Sequence, residues 1–141
     1  MRILVLGLSV LATSFVTACG STSDPFNPHS QYPPDPWVKG YSNPDDCLGG
    51  EKLAAVNFEM PDYPGRPYRT GRQGWTIMRL DVDAAGQTQN VEVERSVPDG
   101  MFDKASQKAV EAWTFEPPED GPLKNCRVLL RYRAGSVTLG G

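Results

Sequence analysis

Three cysteines, Cys19, Cys47 and Cys126, carry the most versatile chemistry in this sequence. A thiol can pair with another thiol, bind a soft metal, or attack as a nucleophile once its pKa is lowered. The last two uses need company that is missing. Neither Cys47 nor Cys126 stands in a Cys-x-x-Cys pair or beside a histidine. The one histidine, His29, follows Pro28 in a proline-rich stretch. No Ser–His or Cys–His pair and no histidine-based metal cluster is therefore expected. The carboxylate pairs Glu92/Glu94 and Asp81/Asp83 fall on strand-like segments and read as solvated faces, and Asp45-Asp46 reads as a turn. No glycine-rich phosphate loop occurs. The expectation is a protein without catalysis, cofactor or metal.

Cys19 suggests another use of a thiol. Arg2 precedes a run from Ile3 to Leu11 that is apolar or glycine except for Ser9, and small and apolar residues continue to Ala18. The run suits a secretory signal and is marginal for a membrane span of about 17–25 residues. Val16-Thr17-Ala18-Cys19 is similar to the bacterial lipobox, in which the chain is cut before the cysteine and diacylglycerol is joined to its thiol. Residues 1–18 are thus predicted to be a signal peptide, with lipidation at Cys19. An ordinary cleaved signal and an uncleaved inner-membrane helix are the alternatives. In an oxidising compartment the two remaining cysteines pair. A Cys47–Cys126 disulfide would close a long loop, worth about 4–5 kcal/mol in the chain-entropy account.

The 141 residues suffice for one domain with appendages, and 39% hydrophobic residues suit a modest core. A net charge of −3 argues against nucleic acid, whose phosphates need a basic surface. Residues 19–46 read as a lipid-anchored tether, with six prolines from Pro25 to Pro44 among Ser, Thr, Asn and Asp. Such a segment spans roughly 30 Å as a coil and at most about 80 Å as polyproline II. Its aromatics Phe26, Tyr32, Trp37 and Tyr41 are suited to docking on the domain or to forming a linear motif.

The folded domain is placed at 47–141. Glu51–Phe58 is helix or strand, and Pro61-Asp62-Tyr63-Pro64 is extended. Trp75–Asp83 and Thr88–Val97 alternate as a hairpin around Ala84-Ala85-Gly86, with Thr76, Met78, Leu80 and Val82 on one face. Asp99 is a candidate N-cap for a helix from about Met101 to Ala112. Phe102, Ala105, Ala109 and Ala112 make its predicted sheet-facing stripe. Cys126–Arg133 is the last strand, pointing Val128, Leu130 and Tyr132 inward and Arg127, Leu129, Arg131 and Arg133 outward. The order β-β-α-β predicts an α+β fold, a three-stranded antiparallel sheet packed by one helix.

The spelling from Pro61 to Pro118 resembles the TonB C-terminal-domain family. It carries the family motif Pro61, Tyr63 and Pro64, then Gly74 before a strand, Gly86 between two strands, and Ser96 to Asp103 leading into an alanine-rich helix. Trp113-Thr114-Phe115-Glu116-Pro117 corresponds to the closing Trp-x-Phe-x-Pro. The resemblance implies the fold just described and a periplasmic domain that grips an extended segment of an envelope or outer-membrane protein by β-strand addition. On this chain the receiving edge strand would be Arg127, Leu129, Arg131 and Arg133, whose arginines would also guard an open edge. Loss of the N-terminal helix to cleavage removes the family's route to motor coupling. Gly20 after the lipidated cysteine suggests the outer membrane. The alternatives are an energy-transducing protein with an uncleaved helix, and a structural lipoprotein that fills its edge with a homodimer partner.

Overall fold

A computed structural model describes residues 24–36 and 55–140. The elements in chain order are β1 (Ala55–Asn57), α1 (Gly65–Arg69), β2 (Gly74–Val82), β3 (Thr88–Val97), α2 (Asp103–Glu111), β4 (Thr114–Phe115), β5 (Leu123–Arg133) and β6 (Ser136–Gly140). β2, β3, β5 and β6 form one antiparallel sheet in the order β3-β2-β5-β6, and β1 pairs with β4 in a separate two-stranded piece. The α+β class and the β-β-α-β order are those expected, with more strands than the three predicted.

Alternation decides which face each strand buries. Met78, Leu80 and Val82 of β2 and Cys126, Val128, Leu130 and Tyr132 of β5 point to the helix side and form the main core with Phe102, Val110, Trp113 and Phe115. Phe102 stacks on Tyr132 with ring centroids 4.2 Å apart. Three hydroxyls cross this core: Thr76 Oγ1 lies 2.8 Å from Ser106 Oγ, which lies 2.7 Å from the Tyr132 hydroxyl. Each is paired, as buried polar groups must be.

The helix departs from the predicted stripe. Ser106 and Val110, with Phe102 before and Trp113 after, face the sheet. Their spacing of four, four and three follows the helical period as well as the alanines do. Ala105 and Ala109 instead line an open groove of about 460 Å³ against the Met60–Gly65 segment. Asp99 does not cap the helix either. Phe102 is the N-cap residue and makes no side-chain capping bond. The turn is held by Ser96 Oγ, which accepts from Gly100 N–H at 3.3 Å.

Tyr63 is the hub of an aromatic cluster, with Phe26, Tyr68, Phe102 and Tyr132 all within 6 Å of its ring centroid. Its hydroxyl donates to the Arg72 carbonyl. Burial, with the neighbouring Tyr132 adding to it, pushes its pKa up to about 12.

Candidate functional site: the sheet margin and a strapped face

The last strand is not an edge where sequence reasoning put one. β5 is paired with β2 along one side and with β6 along the other, from Leu129 opposite Gly140 to Arg133 opposite Ser136. The resemblance placed the receiving edge on this strand as the last of the sheet, but β6 follows it and takes that position. Side chains alternate perpendicular to a sheet, whereas an edge is set by backbone groups in its plane. Arg127, Leu129, Arg131 and Arg133 therefore point onto the face opposite the helix.

Each of the four has an occupation there. Arg127 Nε donates to Glu94 at 2.7 Å, and Arg79 pairs with Glu92 at 2.8 Å, so the alternating glutamates of β3 form a cross-strand ion ladder. Leu129 packs with Trp75 and Ile77 in a second apolar cluster that Tyr32 covers. Arg131 pairs with Asp35 at 2.8 Å. The Arg133 guanidinium stands 5.3 Å over the ring of Tyr32.

Tyr32 and Asp35 belong to the proline-rich segment, which lies across this face as a strap. Residues His29 and Ser30 donate backbone N–H groups to the Gly71 carbonyl. Gln73 is buried and binds the strap through two contacts, N–H to Ser30 Oγ at 3.0 Å and Nε2 to the Ser30 carbonyl at 2.8 Å. Farther along, the Trp75 indole N–H donates to the Pro34 carbonyl at 3.0 Å, and the Tyr32 hydroxyl to Asp35 Oδ1 at 2.7 Å. Phe26 joins the Tyr63 cluster. The predicted signal (1–18), Cys19, Cys47, Trp37 and Tyr41 lie outside the described residues.

The carboxylates of the β2–β3 hairpin have structural roles. Asp83 Oδ1 accepts the backbone N–H groups of Ala85 and Gln87, each at 2.9 Å, and so shapes the turn. Asp81 accepts from Asn90, Lys124 and the Asn125 backbone. Among the described residues no group of acids, histidines and cysteines could hold a metal, and no helix is long and apolar enough to cross a membrane.

Among the described residues the sheet ends in two edge strands, β3 and β6. β6 pairs with the Leu129–Arg133 half of β5 and ends the sheet on that side among the described residues. β6 itself carries no charge and no proline, the usual guards of an edge. A family model described as the Gram-negative bacterial TonB protein C-terminal region matches residues 59–133, more than half of the chain. This chain belongs to the TonB C-terminal family. It is 38% identical over 63 residues to Protein TonB of Xanthomonas campestris pv. campestris, covering 45% of this chain and 28% of that protein. It is 34% identical over 61 residues to Protein tonB2 of Pseudomonas aeruginosa, covering 43% and 23%. The chain thus matches about a quarter of the length of these TonB relatives. The solution structure of the P. aeruginosa TonB C-terminal domain superposes with a TM-score of 0.53 at 21% identity, over 62% of this chain and 92% of that one, which establishes the shared fold.

The strap of this TonB-family domain is expected to be pH-dependent. Partial burial of Asp35 works to raise its pKa, but hydrogen bonds from Arg131 and Tyr32 and the charges of Arg131 and Arg133 outweigh it and hold the carboxyl below its ordinary value. A lowered folded-state pKa contributes stability that is complete above the unfolded value, about 3.9, and lost as pH falls through the folded value. Strap docking, followed by Trp75 fluorescence, is expected to weaken below about pH 4. Asp81 and Asp83 are lowered too and weaken the whole domain in the same window. The difference between wild type and Asp35→Asn isolates the strap: the variant should have looser docking at pH 7 and no separate acid step.

Proposed function

We propose that this chain is a peptide-binding module that captures an extended segment of an envelope or outer-membrane protein by strand addition, without catalysis. The uncharged outer edge of β6 carries the reading. Among the described residues β6 ends the sheet, and an incoming strand finds there the backbone groups of Ser136–Gly140. Membership in the TonB family supports the partner class. The reading includes a lipid on Cys19, which would hold the module at the periplasmic face of a membrane, with Gly20 favouring the outer one. It also includes a Cys47–Cys126 disulfide. That pairing is supported by the state of Cys126, which is buried and disulfide-bonded.

The test is an NMR titration of the mature chain with the extended N-terminal peptide of an outer-membrane receptor. Saturable shifts and slowed amide exchange confined to Ser136–Gly140 are the expected result. No saturable change, or changes confined to β3, would overturn the proposal. A second reading rests on β6 being an uncharged edge strand without proline, which suits pairing of β6 with a second copy. Sedimentation showing a dimer whose formation protects the β6 amides, without any peptide binding, would favour it.

A further inference from the structure

The strap is seated in a site with more recognition chemistry than a tether needs. Pro33, Pro34 and Pro36 fix the backbone around Asp35 before it binds, so little entropy is lost on docking. The site reads three separate features of that segment. Its apolar floor of Trp75, Ile77 and Leu129 takes the Tyr32 ring, and the Arg133 guanidinium lies 5.3 Å from that ring's centroid. The Trp75 indole N–H takes a proline carbonyl. Arg131 takes the acid three residues after the tyrosine. An aromatic floor with an indole donor aimed at a proline-flanked carbonyl is how proline-rich segments are commonly bound.

The resident segment leaves this site incompletely used. Arg131 reaches Asp35 Oδ2 through Nη2 and the Leu139 carbonyl through Nη1 at 3.4 Å, while its Nε is buried and has no partner. A guanidinium that meets a carboxylate through one nitrogen forgoes the stronger paired geometry. Tyr32 is only partly buried and Asp35 is exposed. Within the strap, Tyr32 and Asp35 are thus contacts with this site that solvent still reaches.

We propose that the helix-free face of the sheet is a binding site for proline-rich segments carrying a tyrosine and, three residues on, a carboxylate, with residues 32–36 as its resident ligand in cis. Occupancy in trans then requires only that the strap be displaced. The site lies on a sheet face and is separate from the margin that takes an added strand.

The experiment uses the full chain and a synthetic peptide of residues 29–36, His-Ser-Gln-Tyr-Pro-Pro-Asp-Pro, read by the Trp75 indole N–H resonance. A Tyr32→Ala/Asp35→Ala variant disables the strap and leaves the site intact; Asp35→Ala alone serves if the double variant does not fold. The strap-disabled chain is expected to bind the peptide saturably, at least tenfold more tightly than wild type. Adding Arg131→Ala, or replacing the peptide's aspartate with asparagine, should lower that affinity at least tenfold. A strap-disabled chain with a native amide spectrum and no saturable response at millimolar peptide would overturn the proposal. So would equal affinity for wild type and variant. A concentration-dependent dimer of the wild-type chain that Asp35→Ala abolishes would show the site to be filled by a second copy's strap, and would overturn a separate ligand.

Discussion

Gly86→Ala is expected to destabilise the domain by about 3 kcal/mol or more, while Gly100→Ala, also at positive φ, costs only about 1–2 kcal/mol. Both glycines sit in the left-handed region, with φ of +83° and +72°. The difference lies in their surroundings. A Cβ on Gly86 would stand 1.9 Å from the backbone carbonyl oxygen of Phe115, whereas nothing lies within 4 Å of one on Gly100. Backbone cannot step aside as the end of a flexible side chain can. The turn and β4 are locked together here, since Phe115 N–H donates to the Gly86 carbonyl at 2.8 Å and Gln87 bridges to Thr114. An alanine at Gly86 must therefore break a contact between the hairpin and the segment that follows α2. Urea unfolding of both variants checks this, with an unchanged slope confirming that stability alone has moved. Equal midpoints would mean that the close approach at Phe115 carries no energetic weight.

The sequence made the hairpin and the helix side of the sheet legible, because the alternation around Val91 and Val93 and along Cys126–Arg133 leaves one arrangement that buries Val91, Val93, Val128 and Leu130. The helix face was misread because two stripes share the same period. Ala105 and Ala109 repeat as regularly as Ser106 and Val110, and only tertiary packing chooses between them. β6 was missed because Ser136–Gly140 is short and follows a turn at positive-φ Ala134 and Gly135 that no common hairpin dipeptide announces. The strapped face had a readable signal. Trp75 and Ile77 stand on the side of β2 away from the core, and Leu129 stands among arginines on β5. Strands apolar on both faces imply cover on both sides. That cover could come only from residues outside the β-β-α-β unit, and the aromatic, proline-rich stretch before it was the available candidate. Gln73 carried no such signal, since a polar residue in a glycine turn reads as solvent-facing until Ser30 and Ala134 are seen to converge on it.

Trp113→Ala is the second large effect, expected to cost about 3–5 kcal/mol, because a buried tryptophan leaves a cavity that its neighbours only partly fill. For a domain of this size that lowers Tm by roughly 12–40 °C. Trp113 closes the core from the end of α2, packing at a tilt against Phe58 with ring centroids 4.3 Å apart and meeting Phe115 edge-on at 6.4 Å. Its indole N–H also donates to the Glu59 carbonyl at 2.7 Å, which ties the segment after β1 to the helix. The two contributions separate cleanly. Trp113→Phe keeps most of the ring contact and loses the hydrogen bond, so it should cost about 1–2 kcal/mol and leave the main sheet intact. In Trp113→Ala, amide exchange in Ala55–Asn57 should accelerate before that of β2 and β5, because β1 is held to the body through this ring and a short pairing with β4. A loss below about 1 kcal/mol in the alanine variant would show that the Trp-x-Phe-x-Pro closure is dispensable for the core. Uniform acceleration across all strands would show instead that β1 and the sheet open as one unit.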